Sequence, residues 1–91
     1  MLVAYICTDK VDSLETRLRN RPAHLEWLAS NPGILVAGPL LDGDQKPCGS
    51  LLIVEHESLE RAREWGEQDP YVRAKLFENV VIREWVKVIG N

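Results

Sequence analysis

Strand-like segments that are apolar on both faces are the feature of this 91-residue chain that most restricts its fold. Three such segments, rich in Leu, Ile and Val, occupy residues 2–8, 34–41 and 49–56. The sequence offers two principal helices, and two helices cover only one face of a sheet. A bare face carrying Val3, Tyr5 and Trp85 would be a large exposed apolar patch. We therefore predict that the sheet face packs against a second copy of the chain in a homodimer.

The order of the predicted elements indicates the fold class. We expect a strand at 2–8, a helix at 13–30, a strand at 34–41, a hairpin turn at 42–47, a strand at 49–56, a helix capped by Ser58, a short helix from Asp69 to about Phe77, and a strand at 80–89. The order β-α-β-β-α-β with an antiparallel sheet is the ferredoxin-like arrangement of an α+β protein. No linker or repeat divides the chain, so we expect a single domain over residues 1–91.

Pro22 lies in the middle of the first predicted helix. Proline lacks an N–H group and its ring crowds the carbonyl four residues earlier, so it bends or breaks a helix. One interpretation is a bend just before His24. The other is that Pro22 opens a second short helix as its first residue.

Composition and charge exclude several classes of function. The chain is 45% hydrophobic and 27% charged with a net charge of −3, which is typical of a globular protein and argues against a nucleic-acid binder. No apolar run approaches the roughly 18–20 residues that span a membrane. The first residues lack the basic segment of a signal peptide, so we expect a cytoplasmic protein that does not bind membranes.

Cys7 and Cys48 are isolated cysteines without CxxC spacing. In a cytoplasmic chain a disulfide between them is not expected. Cys7 falls in an apolar strand pattern and is predicted to be a small core residue, whereas Cys48 falls in a loop. The two histidines and two cysteines form no recognisable zinc pattern, and phosphate-binding loops are missing, so we expect neither a metal nor a cofactor.

A basic edge on the first helix is the strongest candidate for a functional site. Arg17, Arg21 and His24 recur at i, i+4 and i+7 and so share one side of the helix, beside a leucine stripe that includes Leu18 and Leu25. Such a border is either a salt-bridged rim or the wall of an anion-binding pocket. Imidazole titrates near physiological pH, which makes His24 the best candidate for a general acid or base. The alternative is a histidine satisfied by a backbone carbonyl.

Four short motifs together resemble the YciI family. They are Arg17…Arg21-Pro22-Ala23-His24-Leu25, Ala37-Gly38-Pro39-Leu40, Gly49-Ser50 and Asp69-Pro70-Tyr71. Their spacing spans nearly the whole chain. The resemblance implies a ferredoxin-like, dimeric α/β-barrel protein, related in fold to muconolactone isomerases and to haem-degrading and monooxygenase-like proteins. One branch of the family resembles a dehydrochlorinase acting on chlorinated hydroxyquinols. The sequence departs from the family at Lys75, where Gly is frequent, and at Glu84, where Pro is common.

The resemblance also implies an active-site pair, which maps onto His24 and Asp69. An Asp before a Pro is equally ordinary helix-capping chemistry, and a carboxylate has enough acceptor sites for both roles. Substrate-binding roles are predicted for a further set of side chains, although the two arginines among them are equally able to pair with surface carboxylates. The set consists of Arg17, Arg21, Ser50 and Tyr71.

The leading hypothesis is a small homodimeric enzyme of the lyase or isomerase type that needs no cofactor. In it His24 moves a proton on a small, anionic or enolisable molecule, Asp69 orients His24, and Arg21 binds negative charge. A second hypothesis keeps the same pocket in a non-catalytic ligand-binding or regulatory module. A third, taken from the haem-handling relatives of the fold, makes His24 an axial haem ligand. The fold by itself does not choose among them.

Overall fold

A computed structural model describes residues 1–91 and contains one antiparallel sheet with the strand order β2-β3-β1-β4. The elements are β1 (Leu2–Asp9), α1 (Leu14–Ala29), β2 (Ile34–Leu41), β3 (Pro47–Glu55), α2 (Leu59–Gly66), α3 (Pro70–Arg73) and β4 (Phe77–Trp85). This is the predicted βαββαβ order, with the short α3 inserted before the last strand, and the ferredoxin-like α+β class is confirmed. None of the helices combines the length and apolar character that crossing a membrane requires.

Local sequence signals account for where the two shorter helices begin. The Ser58 side chain accepts a hydrogen bond from the backbone N–H of Arg61, three residues into the turn that opens α2. Asp69 caps α3 in the same way through the N–H of Tyr71, and Pro70 is the first helical residue. Both predicted caps are confirmed.

Pro22 lies inside one continuous helix, α1, and does not open a second one. The loss of its N–H removes one hydrogen bond within the helix, which the surrounding turns tolerate. Because α1 continues through Pro22 to Ala29, Arg17 and His24 remain on the same helix. The distance between these two side chains is therefore set by helical geometry.

The helices cover the face of the sheet that carries the odd-numbered residues of β1. Val3 and Tyr5 are buried there, and Tyr5 Oη donates to the backbone carbonyl of Ala62 in α2 at 2.7 Å. The prediction that Val3 and Tyr5 lie on the bare face is therefore wrong. The bare face carries Ile6 and Trp85, which are both exposed. Both faces of β1 are apolar, so the sequence had no alternation that would select one of them.

Two predicted boundaries near the C-terminus are also wrong. The short helix ends at Arg73 and not near Phe77, because Lys75 adopts a left-handed backbone conformation with φ of 59°. Glycine adopts that conformation without strain, whereas the Cβ of a lysine there is crowded by the backbone. The last strand spans Phe77–Trp85 and not residues 80–89, since Trp85 already pairs with Leu2 near the start of β1.

The two cysteines have different environments. Both thiols are free, and Cys7 is buried in the core as predicted, whereas the exposed Cys48 lies in strand β3 and not in the predicted loop. Burial raises the pKa of the Cys7 thiol to about 12, and the nearby Asp69 carboxylate adds to the shift. Cys7 therefore stays neutral and unreactive at physiological pH.

Candidate functional site

Two of the three residues on the basic edge of α1, Arg17 and His24, face the interior of the protein, whereas Arg21 is exposed. Arg17 and His24 are only 3% and 7% exposed, whereas the neighbouring Leu18 and Leu25 are 55% and 45% exposed. A helix of a globular protein usually buries its apolar stripe. Burying two ionisable side chains instead has a desolvation cost that only specific polar partners offset.

Asp69 is the partner of His24. The two side chains are 45 positions apart in sequence, and Nδ1 of His24 lies 2.8 Å from Oδ1 of Asp69. Oδ1 also accepts the backbone N–H of Tyr71 at 2.9 Å, so it acts as an acceptor. Nδ1 of His24 must then carry the proton, and in the neutral ring Nε2 is the basic nitrogen. Nε2 has no hydrogen-bond partner within the chain.

Tyr71 holds the imidazole in place from a second direction. Its ring is stacked on His24, with the ring centroids 3.9 Å apart and the planes inclined by 16°. The Arg17 guanidinium carbon lies 4.6 Å from the centre of the same ring, within the range of a cation–π contact. Burial raises the pKa of Tyr71, although the positive charges of Arg17 and Arg21 oppose the shift. The ring of Tyr71 is therefore a neutral group between the guanidinium of Arg17 and the imidazole of His24.

Arg17 is held by a carboxylate that the sequence reasoning did not single out. Its Nε and Nη2 donate to the two carboxylate oxygens of Asp9 at 2.7 and 2.8 Å, and Nη2 also donates to Ser50 Oγ at 2.9 Å. Burial disfavours the guanidinium charge, but the hydrogen bonds and negative charge of Asp9 outweigh it and raise the pKa of Arg17. The signal available in the sequence was a carboxylate at the end of β1, eight residues before Arg17.

Gly49 brings Ser50 to this network. A Cβ atom at position 49 would lie 2.4 Å from the carbonyl oxygen of Cys7 in β1, so any other residue would push the two strands apart. With glycine there, Ser50 pairs with Cys7 across the sheet and is buried facing α1. Its hydroxyl accepts from Arg17 and keeps its own proton free to donate.

A cavity of about 390 Å³, the first cavity, is lined by the predicted side chains of α1 and β3. It is lined by Arg17, Arg21, His24, Ser50 and Tyr71, together with apolar side chains of α1 and β2. Arg21 is exposed and forms no ion pair, so its charge is available to an incoming anion. Asp69 contacts His24 from behind and does not line this cavity. Lys75 is exposed and also lies outside its lining.

The arrangement supplies a base, an orienting carboxylate and hydrogen-bond donors around one apolar space. His24 presents Nε2, Asp69 fixes the ring, and Arg21 and Ser50 offer donors to an anion or a carbonyl oxygen. No group of three or more His, Cys, Asp or Glu side chains is placed to hold a metal ion.

Comparison with known proteins places the chain in a family. The family model described as the YCII-related domain matches residues 1–86. Protein YciI of Escherichia coli O6:H1 is 41% identical over 97 aligned positions, which cover 97% of this chain and 99% of that protein. A 5-chloro-2-hydroxyhydroquinone dehydrochlorinase of Burkholderia phenoliruptrix, solved in complex with 2,5-dihydroxybenzoquinone, is 34% identical with a TM-score of 0.90 over 94% of both chains.

More distant structures share the fold alone. An antibiotic biosynthesis monooxygenase-like protein of Nitrosomonas europaea has a TM-score of 0.55 at 20% identity, covering 96% of this chain and 100% of its own. Because the family model matches residues 1–86 and protein YciI is 41% identical, the 91-residue chain belongs to the YCII-related domain family.

Proposed function

We propose that this protein is a cofactor-independent enzyme of the lyase or isomerase type that transfers a proton on a small anionic or enolisable ring compound. The observation that carries the proposal is the buried His24–Asp69 pair, which leaves Nε2 of His24 as the free basic nitrogen beside the first cavity. A base fixed in one tautomer by a carboxylate is the arrangement of general acid–base catalysis. The likeness to the dehydrochlorinase supports the same class of reaction.

In the proposed reaction His24 is the catalytic residue. Its Nε2 takes a proton from the substrate, and the electron pair of the broken bond moves into the ring as an enolate or expels a leaving group such as chloride. Asp69 stabilises the imidazolium that forms, because its carboxylate is 2.8 Å from Nδ1. The same proton is then returned to another position of the product in an isomerisation, or to solvent in an elimination.

Arg21 is proposed to bind a negative charge that the substrate already carries, and Ser50 is proposed to donate to the oxygen on which negative charge develops. Arg21 lines this cavity and has no ionic partner, whereas the charge of Arg17 is balanced by the carboxylate of Asp9, which accepts two hydrogen bonds from it. We therefore assign Arg17 to orienting Ser50 and Tyr71, and Arg21 to contacting the substrate directly.

The experiment that tests the proposal measures chloride release from chlorinated hydroxyquinols by ion chromatography. Alongside it, calorimetry measures the binding of 2,5-dihydroxybenzoquinone, the compound bound to the related dehydrochlorinase. We expect both binding and release of one chloride per substrate molecule. Binding without any chloride release or ring isomerisation would contradict catalysis and favour the alternative, a ligand-binding or regulatory module with the same cavity.

We also propose that the bare face of the sheet forms a homodimer. Ile6 and Leu51 are paired across neighbouring strands in the middle of this face, and both are exposed. Trp85 extends the apolar surface to the edge strand β4. An apolar sheet face of this kind is the surface that a partner sheet covers.

Replacing Ile6 with lysine is expected to convert the dimer to a monomer, because the interface would bury an unpaired charge. Sedimentation equilibrium on the wild type and on Ile6→Lys measures the change. The matched control is Val11→Lys, which changes an exposed residue in the loop before α1 and leaves the sheet untouched. A monomeric wild type, or a dimer that Ile6→Lys leaves intact, would contradict the proposed interface.

A further inference from the structure

A second cavity lies behind the His24–Asp69 pair, between the helices and the edge strand β4. Its volume is about 330 Å³, within the range of about 300–1,000 Å³ that is usual for small-molecule sites. Four aromatic side chains form much of its wall: Tyr5, Trp27, Trp65 and Phe77. The exposed Val80 lies at its border with solvent.

Asp69 lines the second cavity but does not line the first cavity. Asp69 is only 4% exposed, and its Oδ1 already accepts from both His24 and Tyr71. Its other oxygen, Oδ2, accepts no hydrogen bond from the chain and keeps some solvent-accessible surface. Because Oδ2 lacks a donor from the chain and remains accessible, it is an acceptor that a ligand in the second cavity can satisfy.

The walls specify what that ligand must be. Flat aromatic surfaces favour a ring, because stacked and edge-on aromatic contacts add to the burial of apolar area. The Trp27 and Trp65 rings already stack on each other with centroids 4.2 Å apart, which makes this wall rigid. Asp69 and Glu67 bring negative charge to the lining and Arg63 brings positive charge, so the net charge of the lining disfavours an anion. The Asp69 carboxylate favours a hydroxyl donor.

We propose that the second cavity binds a neutral monocyclic phenol, whose hydroxyl donates to Oδ2 of Asp69 and whose ring packs against Trp65 and Phe77. The site is separate from the proposed substrate cavity, yet both use one carboxylate. A phenol on Oδ2 draws negative charge away from Oδ1 and so weakens the hydrogen bond to His24. A ligand in the second cavity thereby alters the hydrogen bond of His24, which lines the first cavity.

The test uses phenol itself and toluene, which has a similar shape but no hydroxyl. Titration is followed by tryptophan fluorescence, since two of the three tryptophans line the second cavity, and by the imidazole ¹⁵N shifts of His24. We expect saturable phenol binding that moves the His24 signals, and toluene binding that is about tenfold weaker and leaves them in place.

Cavity-filling variants locate the site. Val80→Trp fills the border of the second cavity and is expected to abolish phenol binding, and Ile82→Phe serves the same purpose should Val80→Trp not fold. The matched control is Leu41→Trp, which fills the border of the first cavity and should leave phenol binding unchanged.

The proposal is overturned if phenol does not bind, if toluene binds equally well, or if Leu41→Trp abolishes binding while the variants of the second cavity retain it. None of these readouts requires turnover, so they are independent of the proposed reaction.

Discussion

Replacing His24 with glutamine is expected to lower kcat/KM for the proposed chloride release by about 10³-fold, the usual contribution of a general base. Glutamine keeps an N–H group that can donate to Asp69 and approximates the volume of the ring, so the buried pair remains hydrogen-bonded. It cannot accept a proton at the position of Nε2. Steady-state kinetics on His24→Gln and His24→Ala measure the loss, and circular dichroism verifies that both variants are folded.

Arg21→Gln is the matched control on the same helix edge. Arg21 is exposed and has no ionic partner, so its removal is expected to raise KM while kcat changes less. His24 variants should instead lower kcat, because the proton moves only in the transition state. Wild-type turnover in His24→Gln would rule out His24 as the base and leave it a role in ligand binding alone.

Replacing Asp9 with alanine is expected to destabilise the protein by about 3–5 kcal/mol, since it leaves the buried guanidinium of Arg17 without its counter-charge. The side chains of Arg17 and Asp9 are only 4% and 6% exposed, and two hydrogen bonds join them. Urea unfolding measured by circular dichroism gives the free energy of unfolding. The double variant Asp9→Ala with Arg17→Met should recover much of the loss, because it removes both charges.

The chain contains a matched control in a second arginine–carboxylate pair on α1. Arg19 and Glu15 are 3.0 Å apart, but both side chains are mostly exposed. Glu15→Ala should therefore cost no more than about 0.5 kcal/mol. Equal losses in Asp9→Ala and Glu15→Ala would show that burial of the Asp9–Arg17 pair does not determine its importance.

The sequence by itself determined the order of elements and most of their boundaries. Apolar runs, the Ser58 cap and the Asp69-Pro70 helix start are local signals, and local signals are readable without knowing what packs against them. Helical spacing placed Arg17, Arg21 and His24 on one edge of α1. The pairing of His24 with Asp69 came from the family resemblance, because residues 45 positions apart have no local relationship.

Only the tertiary structure decided which surfaces are buried. Both faces of β1 are apolar, so no alternation indicated that Val3 and Tyr5 pack under the helices while Ile6 stays bare. The end of β4 at Trp85 depended on where its partner strand begins. The pairing of Asp9 with Arg17 and the second cavity behind Asp69 likewise arise where β1, α1, α3 and β4 meet. Such features depend on long-range contacts, and the chain encodes these contacts only through the fold as a whole.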